Sequence, residues 1–276
     1  MSRSIGRFAA SLARLATAPL HPWRRAMAQA YAAQKITPLW KISTSAGPLV
    51  FTGPSGRALH DAHGFNKDEP ETVAWIDSLP TSAVFWDIGA NVGLYAIYAA
   101  KKGHRVIAFE PAASTLAVLT RNIELNGVSD QVAAYGIALS DSTKLDSLYM
   151  DSARTEPGHA VHSFGTRRTV AGEIEGGFQQ ATIGYRADDF VSQFGVPAPT
   201  HIKLDVDGIE AEILSGAAIL MRTKVKELMV EIYDDMNPTQ AKQIRDAVST
   251  LGFVERPTSH PEGRNKLFVN TALSVG

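Results

Sequence analysis

Short apolar runs alternate with longer segments of helical periodicity through most of the chain after residue 83. Glycine, proline, asparagine and aspartate separate these runs, which is typical of turns. The apolar runs predict strands at residues 84–86, 106–109, 131–137, 201–204 and 227–230. The segments between them predict helices at residues 94–102, 113–125, 209–220 and 239–251, and a short helix at residues 68–79 precedes the first strand.

The order of these elements predicts the class of fold. Repeated alternation of strands and helices is typical of a mostly parallel sheet with helices on both faces, because each helix returns the chain to the same end of the sheet. Two further runs, residues 253–254 and 267–269, predict a closing antiparallel hairpin. We therefore expect a doubly wound α/β protein.

Residues 142–182 interrupt the alternation with polar and glycine-rich sequence. A segment of this length inside a compact domain is usually functional or disordered. It contains His159 and His162, an H-x-x-H pair that could bind a metal ion. Because neither a third ligand nor helical periodicity accompanies the pair, we expect solvated loop histidines and no metal site. If the insertion folds over a ligand cleft, His162 becomes a candidate proton acceptor.

The first 60 residues differ from the rest of the chain in charge. They hold eight of the 27 lysines and arginines and none of the 28 aspartates and glutamates, the first acid being Asp61. The remainder is therefore acidic, which argues against nucleic acid as a substrate. We predict a basic N-terminal arm over residues 1–60, helical in part, and a catalytic domain over residues 61–276. The chain has no cysteine, which excludes disulfides and thiolate metal sites.

The arm contains an apolar stretch that an arginine interrupts. On a helix, Ile5, Phe8, Leu12 and Leu15 would share one face. Three interpretations remain open: a helix packed on the catalytic domain or on a partner protein, a helix lying on a membrane surface, and an organelle transit peptide. No apolar run reaches the roughly eighteen residues of a transmembrane helix. We expect a cytoplasmic protein, with peripheral membrane contact through the arm as an alternative.

The turn after the first strand, from Asp87 to Gly93, occupies the position where open α/β sheets bind ligands. A dinucleotide fingerprint needs glycines at positions 89, 91 and 94, but this chain has Asn91 and Leu94 there. A pyrophosphate requires close backbone approach at the middle glycine. S-adenosylmethionine has no phosphate, and its ammonium and sulfonium suit an acid such as Asp87, while Gly89 lets the backbone approach the ligand. The alternative is a tight turn capped by Asp87.

A second candidate site lies at the ends of the next two strands. Glu110 ends the second strand. In enzymes that bind NAD or S-adenosylmethionine, an acid at this position accepts hydrogen bonds from both hydroxyls of the ribose. It could instead cap the helix after Pro111. An adenine edge would lie at the end of the third strand, beside Ala138. Asp141 could accept a hydrogen bond from the adenine amino group, or it could be a turn residue without contact to a ligand.

The most informative stretch after the glycine turn ends the fourth strand. Asp205 and Asp207 flank a valine there, and Glu231 ends the neighbouring fifth strand. Carboxylates in this crevice could orient a hydroxyl, accept its proton or hold a divalent ion. We favour a functional role for Asp205. For Asp207 the structural alternative is that it forms a turn with Gly208. Glu210 and Glu212, slightly further on, are expected to be first-turn acids of the following helix.

Four stretches together resemble the FkbM family of methyltransferases: FWDIGANVGLY at 85–95, AFEP at 108–111, ALSD at 138–141 and IKLDVDG at 202–208. The likeness covers residues 68–270. It implies a class I, Rossmann-like methyltransferase fold and O-methylation of hydroxyls on polyketides, sugars or related metabolites. It also implies S-adenosylmethionine binding by Glu110 and by the turn residues Asp87, Gly89, Ala90, Asn91 and Gly93. The family more often has glutamate at position 207, so Asp205 is the stronger catalytic candidate.

We therefore expect an S-adenosylmethionine-dependent methyltransferase of a small molecule or sugar, with Asp205, Asp207 and His162 as catalytic candidates. Two alternatives remain. A nicotinamide-dependent oxidoreductase shares the fold and Glu110, but the missing middle glycine counts against it. A non-catalytic scaffold could keep the cofactor pocket and assemble partners through the arm, but the intact acids after strand four count against that alternative.

Overall fold

The computed structural model describes residues 2–151, 157–158 and 161–273. Its internal contacts divide the chain into two compact units, Met1–Leu39 and Trp40–Gly276. The first unit consists of the helices α1 (Ser2–Thr17) and α2 (Pro22–Ile36). Gln29 of α2 donates a hydrogen bond to the Thr17 hydroxyl at 2.8 Å, which joins the two helices across their short turn. None of the described helices is long and apolar enough to cross a membrane.

The second unit contains the remaining elements. Its helices are α3 (Gly56–Gly64), α4 (Pro70–Ser78), α5 (Leu94–Lys101), α6 (Ala113–Asn126), α7 (Ala187–Phe194), α8 (Glu210–Gly216), α9 (Ala218–Thr223) and α10 (Pro238–Thr250). Its strands are β1 (Leu39–Thr44), β2 (Gly47–Thr52), β3 (Val84–Ile88), β4 (Arg105–Phe109), β5 (Val132–Tyr135), β6 (Ala138–Leu139), β7 (Lys144–Met150), β8 (His162–Phe164), β9 (Arg168–Thr169), β10 (Gly172–Glu173), β11 (Phe178–Tyr185), β12 (His201–Leu204), β13 (Glu227–Glu231), β14 (Phe253–Arg256) and β15 (Asn265–Asn270).

A seven-stranded sheet in the order β14-β15-β13-β12-β3-β4-β5 forms the centre of this unit. The neighbours from β13 to β5 are parallel, whereas β15 is antiparallel to both β13 and β14. This confirms the predicted α/β class, the mostly parallel sheet and the closing hairpin. Because the carboxyl ends of the parallel strands share one edge, the acids that end β3, β12 and β13 come together.

Two apolar cores cover the two faces of the sheet. Neighbouring residues of a strand point to opposite faces. Phe85 packs with α4, α5 and α6 on one face, whereas Trp86 packs with α7, α8, α9 and α10 on the other. Burial of each large side chain contributes about 1.5–3 kcal/mol. The predicted placement of helices on both faces is therefore confirmed.

The contacts divide the chain after Leu39, whereas the sequence predicted the boundary at residue 60. Strand β2 belongs to the catalytic unit, because Leu49 and Phe51 are completely buried in the core beside α6. The Asn126 side chain also bonds to both backbone groups of Val50, accepting from its nitrogen at 2.9 Å and donating to its oxygen at 2.7 Å. Glycine and proline around this short strand hide its apolar alternation in the sequence.

The insertion at residues 142–182 forms β-structure that the sequence did not predict. Strands β7, β8 and β11 join β6 in a separate four-stranded sheet of order β6-β11-β7-β8. Its longest pairing is the antiparallel one between β11 and β7. The histidine pair of the insertion is only partly visible, since His162 begins β8 whereas His159 lies outside the described residues. The sheet extends from β6 and so reaches the edge where the central strands end.

One predicted helix is divided in two. The sequence predicted a single helix at residues 209–220, but α8 ends at Gly216 and α9 begins at Ala218. A Cβ atom on Gly216 would lie 2.0 Å from the Ser140 carbonyl oxygen, so the chain passes very close to the end of β6 at this point. Glu210 and Glu212 lie in the first turn of α8, as expected.

We predict that Phe51→Ala lowers the free energy of unfolding by about 3–5 kcal/mol, because it leaves a cavity in the core of the catalytic unit. The matched change Phe8→Ala in α1 should alter it by less than about 0.5 kcal/mol, because Phe8 is 65% exposed. Urea denaturation of both variants in lipid-free buffer measures the difference in the free energy of unfolding. Similar losses in the two variants would contradict the observed division of the chain.

Candidate active site

The turn after β3 brings two strand ends into contact. Gly89 has φ = +85°, and a Cβ atom there would lie 1.9 Å from the carbonyl oxygen of Asp205. Only glycine avoids this collision. The backbone nitrogens of Gly89 and Ala90 both donate to the Phe109 carbonyl, at 3.1 and 3.0 Å. Asn91 follows with a positive φ of 49°, and the whole turn is fixed against β4 and the end of β12.

Asp87, the acid near the end of β3, has a buried carboxyl group. Neither carboxylate oxygen has a hydrogen-bond partner of normal geometry among the described residues, although the backbone amide of Ala96 is close enough to favour the charged form. Burial raises the pKa of Asp87 to about 7; Asp205 and Glu69 add to this rise, and Lys203 opposes it. A buried acceptor without donors is costly unless a ligand supplies them.

Glu110 follows β4 and is also buried. One carboxylate oxygen accepts from the backbone nitrogen of Asn91 at 3.0 Å, and the other accepts from that of Ala112 at 2.8 Å. Burial raises the pKa of Glu110 to about 7, against the lowering effect of these two amides. The carboxylate thus fixes the start of α6, as a cap does, and also faces a cavity.

That cavity is lined mainly by apolar side chains, with a few polar groups among them, the composition usual for small-molecule sites. The sheet contributes residues such as Ile88 and Phe109, and the insertion closes the opposite side with residues of β7 and β8. Its apolar lining includes Ile88, Phe109, Ala138, Leu139, Leu148 and Phe164, and its polar lining includes Asn91, Glu110, His162, Asp205 and Asp207.

A second, polar cavity lies on the other side of the Gly89 turn. The two cavities share Gly89, Asn91, Asp205 and Asp207 in their linings, so they adjoin at the ends of β3 and β12. Among the described residues, the carboxyl and cationic side chains that line the polar cavity number nine and three: Asp61, Asp68, Glu69, Glu71, Asp87, Asp205, Asp207, Glu231 and Glu262 with Arg57, Lys203 and Arg264.

Lys203 is the cation at the centre of these acids. Its side chain is 2% exposed, and its Nζ bonds to Asp205 and lies 3.6 Å from Glu69 Oε2 and 4.9 Å from the centroid of the Tyr95 ring. Burial lowers the pKa of Lys203, but Asp205, Glu69 and Asp87 outweigh that effect and raise it. The ammonium therefore stays charged and neutralises carboxylates from three elements.

The carboxyl groups beside Lys203 differ in their affinity for protons. Burial raises the pKa of Asp205, but Lys203 and a hydrogen bond from Glu231 outweigh it, so the net pKa is lowered. Burial and the charge of Asp205 raise the pKa of Glu231 to about 9, so Glu231 is neutral and donates that hydrogen bond. Burial also raises the pKa of Asp207 to about 8. An ionised Asp207 therefore binds a proton more tightly than an ionised Asp205 does.

Most of the predicted site residues line the two cavities, and two do not. Ala90 lines the polar cavity and Ala138 the apolar one. Gly93 lies outside both linings; it has φ = +90°, and a Cβ atom there would be 2.3 Å from Leu119. Asp141 is exposed and accepts hydrogen bonds from the hydroxyls of neighbouring serines, which makes it a turn residue outside both linings.

His162 reaches the site through the insertion. It lines the apolar cavity, and its backbone nitrogen donates to Asp207 Oδ2 at 3.3 Å. The sequence favoured a solvated loop residue at this position and gave the cleft only as a conditional alternative, whereas in the structure His162 lines the cavity. Strand β8 carries it there, because β8 pairs with β7 beside the end of the central sheet.

Two residues at the centre of the site, Lys203 and Glu69, were not among those that the sequence predicted. A lysine inside the strand HIKL, every residue of which is buried, was a usable signal, because a buried ammonium requires carboxylate partners. Glu69 gave no such signal, since an acid before Pro70 also suits the start of a helix. Its Oε2 accepts from the Thr72 hydroxyl at 3.0 Å and faces Lys203 instead.

The central sheet, its antiparallel hairpin and the carboxylate-lined crevice at its carboxyl edge define the fold of a class I methyltransferase. The sequence matches the methyltransferase FkbM domain over residues 87–255. The chain therefore belongs to the FkbM family of methyltransferases, which confirms the resemblance seen in its motifs.

Three curated relatives illustrate the range of the family. The chain is 28% identical over 239 residues to the AMB antimetabolite synthetase AmbE of Pseudomonas aeruginosa, covering 72% of this chain and 11% of AmbE. It is 29% identical over 161 residues to the hexuronic acid methyltransferase AglP of Haloferax volcanii, covering 58% and 60% of the two chains. It is 23% identical over 180 residues to the 31-O-demethyl-FK506 methyltransferase FkbM of Streptomyces tacrolimicus, covering 58% and 68%. The matched region is thus less than two thirds of AmbE and of AglP.

We predict that Lys203→Met lowers the free energy of unfolding by about 3–5 kcal/mol near neutral pH, because it leaves buried carboxylates unpaired. Without the ammonium, these acids have higher pKa values in the folded than in the unfolded protein. The folded state then binds more protons, so stability falls as pH rises. The loss measured by urea denaturation should therefore be larger at about pH 8 than at about pH 5.

The matched control is Lys242→Met. Lys242 is 77% exposed in the side chain and pairs with Asp246 on the surface of α10, an interaction worth less than about 1 kcal/mol. A loss in Lys203→Met no greater than in this control, at either pH, would show that the buried ammonium does not stabilise the site.

Proposed function

We propose that the protein transfers the methyl group of S-adenosylmethionine to a hydroxyl of a small molecule or sugar. The observation that carries this proposal is the pairing of two acids on opposite sides of one glycine turn. Asp87 offers buried oxygens without normal hydrogen-bond donors to the polar cavity, and Glu110 faces the apolar cavity. This division of polar and apolar surroundings matches a ligand with a charged amino-acid end and a nucleoside end.

The residues at the turn fit this cofactor chemically. Asp87 would accept from the ammonium group, supplying the donors that its oxygens lack. Glu110 has lone pairs left for ribose hydroxyls after accepting two backbone amides. Phe109, Ala138 and Leu139 would surround the adenine with apolar atoms. When bound, S-adenosylmethionine supplies an electrophilic methyl group on a sulfonium.

Asp207 is the proposed proton acceptor. It lies where the two cavities adjoin, and its raised pKa makes it the stronger base of the two aspartates after β12. Asp205, held as an anion by Lys203 and Glu231, would orient the acceptor hydroxyl. His162 lines the apolar cavity, so we assign it to the cofactor side, with its backbone amide orienting Asp207.

The acceptor is proposed to be a hydroxyl-bearing metabolite rather than nucleic acid. The polar cavity has a large excess of carboxyl groups over cations, which disfavours a polyanion. Carboxylates suit hydroxyl groups as hydrogen-bond donors. One relative is named for methylation of a hexuronic acid and another for methylation of 31-O-demethyl-FK506, which are a sugar acid and a small molecule. Methyl transfer from labelled S-adenosylmethionine to extracts of the native host tests the activity, and its absence would favour a scaffold.

We predict that S-adenosylhomocysteine binds and that NADH does not. Asp87 is largely protonated below pH 7 in the unliganded protein and must lose its proton to pair with an ammonium. Affinity should therefore rise about tenfold between about pH 6 and about pH 8. Isothermal titration calorimetry in buffers of different ionisation enthalpy measures affinity and proton release together.

The control for this titration is Asp87→Asn, which keeps the size of the side chain and cannot release a proton. It should bind more weakly at about pH 8 and show less pH dependence than the wild type. Binding of NADH in place of S-adenosylhomocysteine would refute the proposed cofactor. A pH dependence that is the same in Asp87→Asn would refute the role of Asp87.

We predict that Asp207→Asn lowers turnover by about 10²–10⁴-fold, the usual contribution of a general base. Asp205→Asn should lower turnover less and stability more, because it removes the partner of Lys203. The exposed Asp141→Asn serves as the control and should change neither property. Turnover on an accepted hydroxyl substrate, with cofactor affinity measured alongside, distinguishes these effects. Near-normal turnover in Asp207→Asn, together with a large loss of turnover in Asp205→Asn, would identify Asp205 as the general base.

A further inference from the structure

The helices of the first unit, α1 and α2, expose an unusual amount of apolar surface. No described side chain between residues 4 and 39 is buried. Phe8 and Leu15 of α1 are 65% and 70% exposed, and Trp23 of α2 is 68% exposed. Other apolar residues of the unit are also largely exposed: Ile5, Leu12, Leu20, Met27, Tyr31 and Ile36.

These residues form continuous stripes. Ile5, Phe8, Leu12 and Leu15 follow the spacing of a single face of α1, and Trp23, Met27 and Tyr31 are spaced four residues apart along α2. In proteins most helical stability comes from burial of such a face, because short isolated helices are marginal in water. A pair of helices without buried side chains therefore needs a surface that covers these stripes.

The charges of the unit indicate which surface that is. Arg7 and Arg14 lie on the side of α1 away from its apolar stripe, and α2 carries Arg24, Arg25 and Lys35. The first acid of the chain is Asp61, so this unit contains no carboxylate side chain. A second copy of the unit would add further cations and no anion to balance them. An apolar stripe with a purely cationic polar face is typical of helices that lie on anionic membranes.

The aromatic residues of α2 agree with this interpretation. Trp23 and Tyr31 are both exposed, and side chains of these two types favour the boundary between headgroups and acyl chains. The Lys35 ammonium lies 5.4 Å from the centroid of the Tyr31 ring, so a cation and an aromatic group face the same environment. We infer that the α1–α2 pair is a membrane-surface anchor that lies in the interface of a bilayer containing anionic lipids.

Vesicle sedimentation of the full chain tests this anchor. The wild type should bind phosphatidylcholine vesicles that contain phosphatidylglycerol at least about tenfold better than vesicles of phosphatidylcholine alone, and added salt should weaken that binding. The double variant Phe8→Asp/Leu12→Asp should lose at least about tenfold in binding to the anionic vesicles. Its melting temperature should equal that of the wild type, because both side chains are exposed.

The matched control replaces two exposed apolar residues of the catalytic unit. Leu145 and Val254 are 82% and 48% exposed, and Leu145→Asp/Val254→Asp should leave vesicle binding unchanged. Equal binding by the Phe8→Asp/Leu12→Asp variant, or no binding by the wild type, would overturn the inference. A lipid-free dimer in sedimentation velocity that this variant dissociates would also overturn it, since the stripes would then belong to a second copy.

Discussion

The buried ammonium of Lys203 makes the arrangement of acids at the carboxyl edge of the sheet physically tolerable. Parallel strands necessarily bring their last residues together, and here three of these strands end in or beside Asp87, Asp205 and Glu231. Three ionised carboxylates on neighbouring strand ends would repel one another strongly. Lys203 pairs with Asp205, and Glu231 stays neutral, so the cluster carries less negative charge than its residues suggest.

The order of strands and the positions of the acids could be predicted because they depend on local patterns and on one topological rule. Apolar runs identified β3, β4, β12 and β13, and parallel pairing then required Asp87, Glu110 and Asp205 to share an edge. The exact ends of helices were less predictable. The division at Ala217 depends on how closely Gly216 approaches Ser140, a contact between residues far apart in sequence.

Features that depend on long-range contacts could not be predicted. The strands of the insertion are polar and interrupted by glycine, and they become recognisable only when β11 pairs with β7 and β6. The pairing of Lys203 with Glu69 joins α4 to β12 across more than half of the domain sequence. Local spacing equally could not distinguish Gly89, which lies against the Asp205 backbone and lines both cavities, from Gly93, which packs against Leu119 of α6.

The raised pKa values at the site have a consequence for the proposed reaction. Asp87, Glu110 and Asp207 hold protons more strongly than free carboxyl groups because the cavities are poorly solvated. A cation brought into these cavities favours the charged form of each acid and so lowers its pKa. A cationic cofactor would thus convert Asp207 from a partly protonated group into an ionised one. The site would therefore acquire its base when the cofactor binds, which links the electrostatics of binding to the removal of the substrate proton.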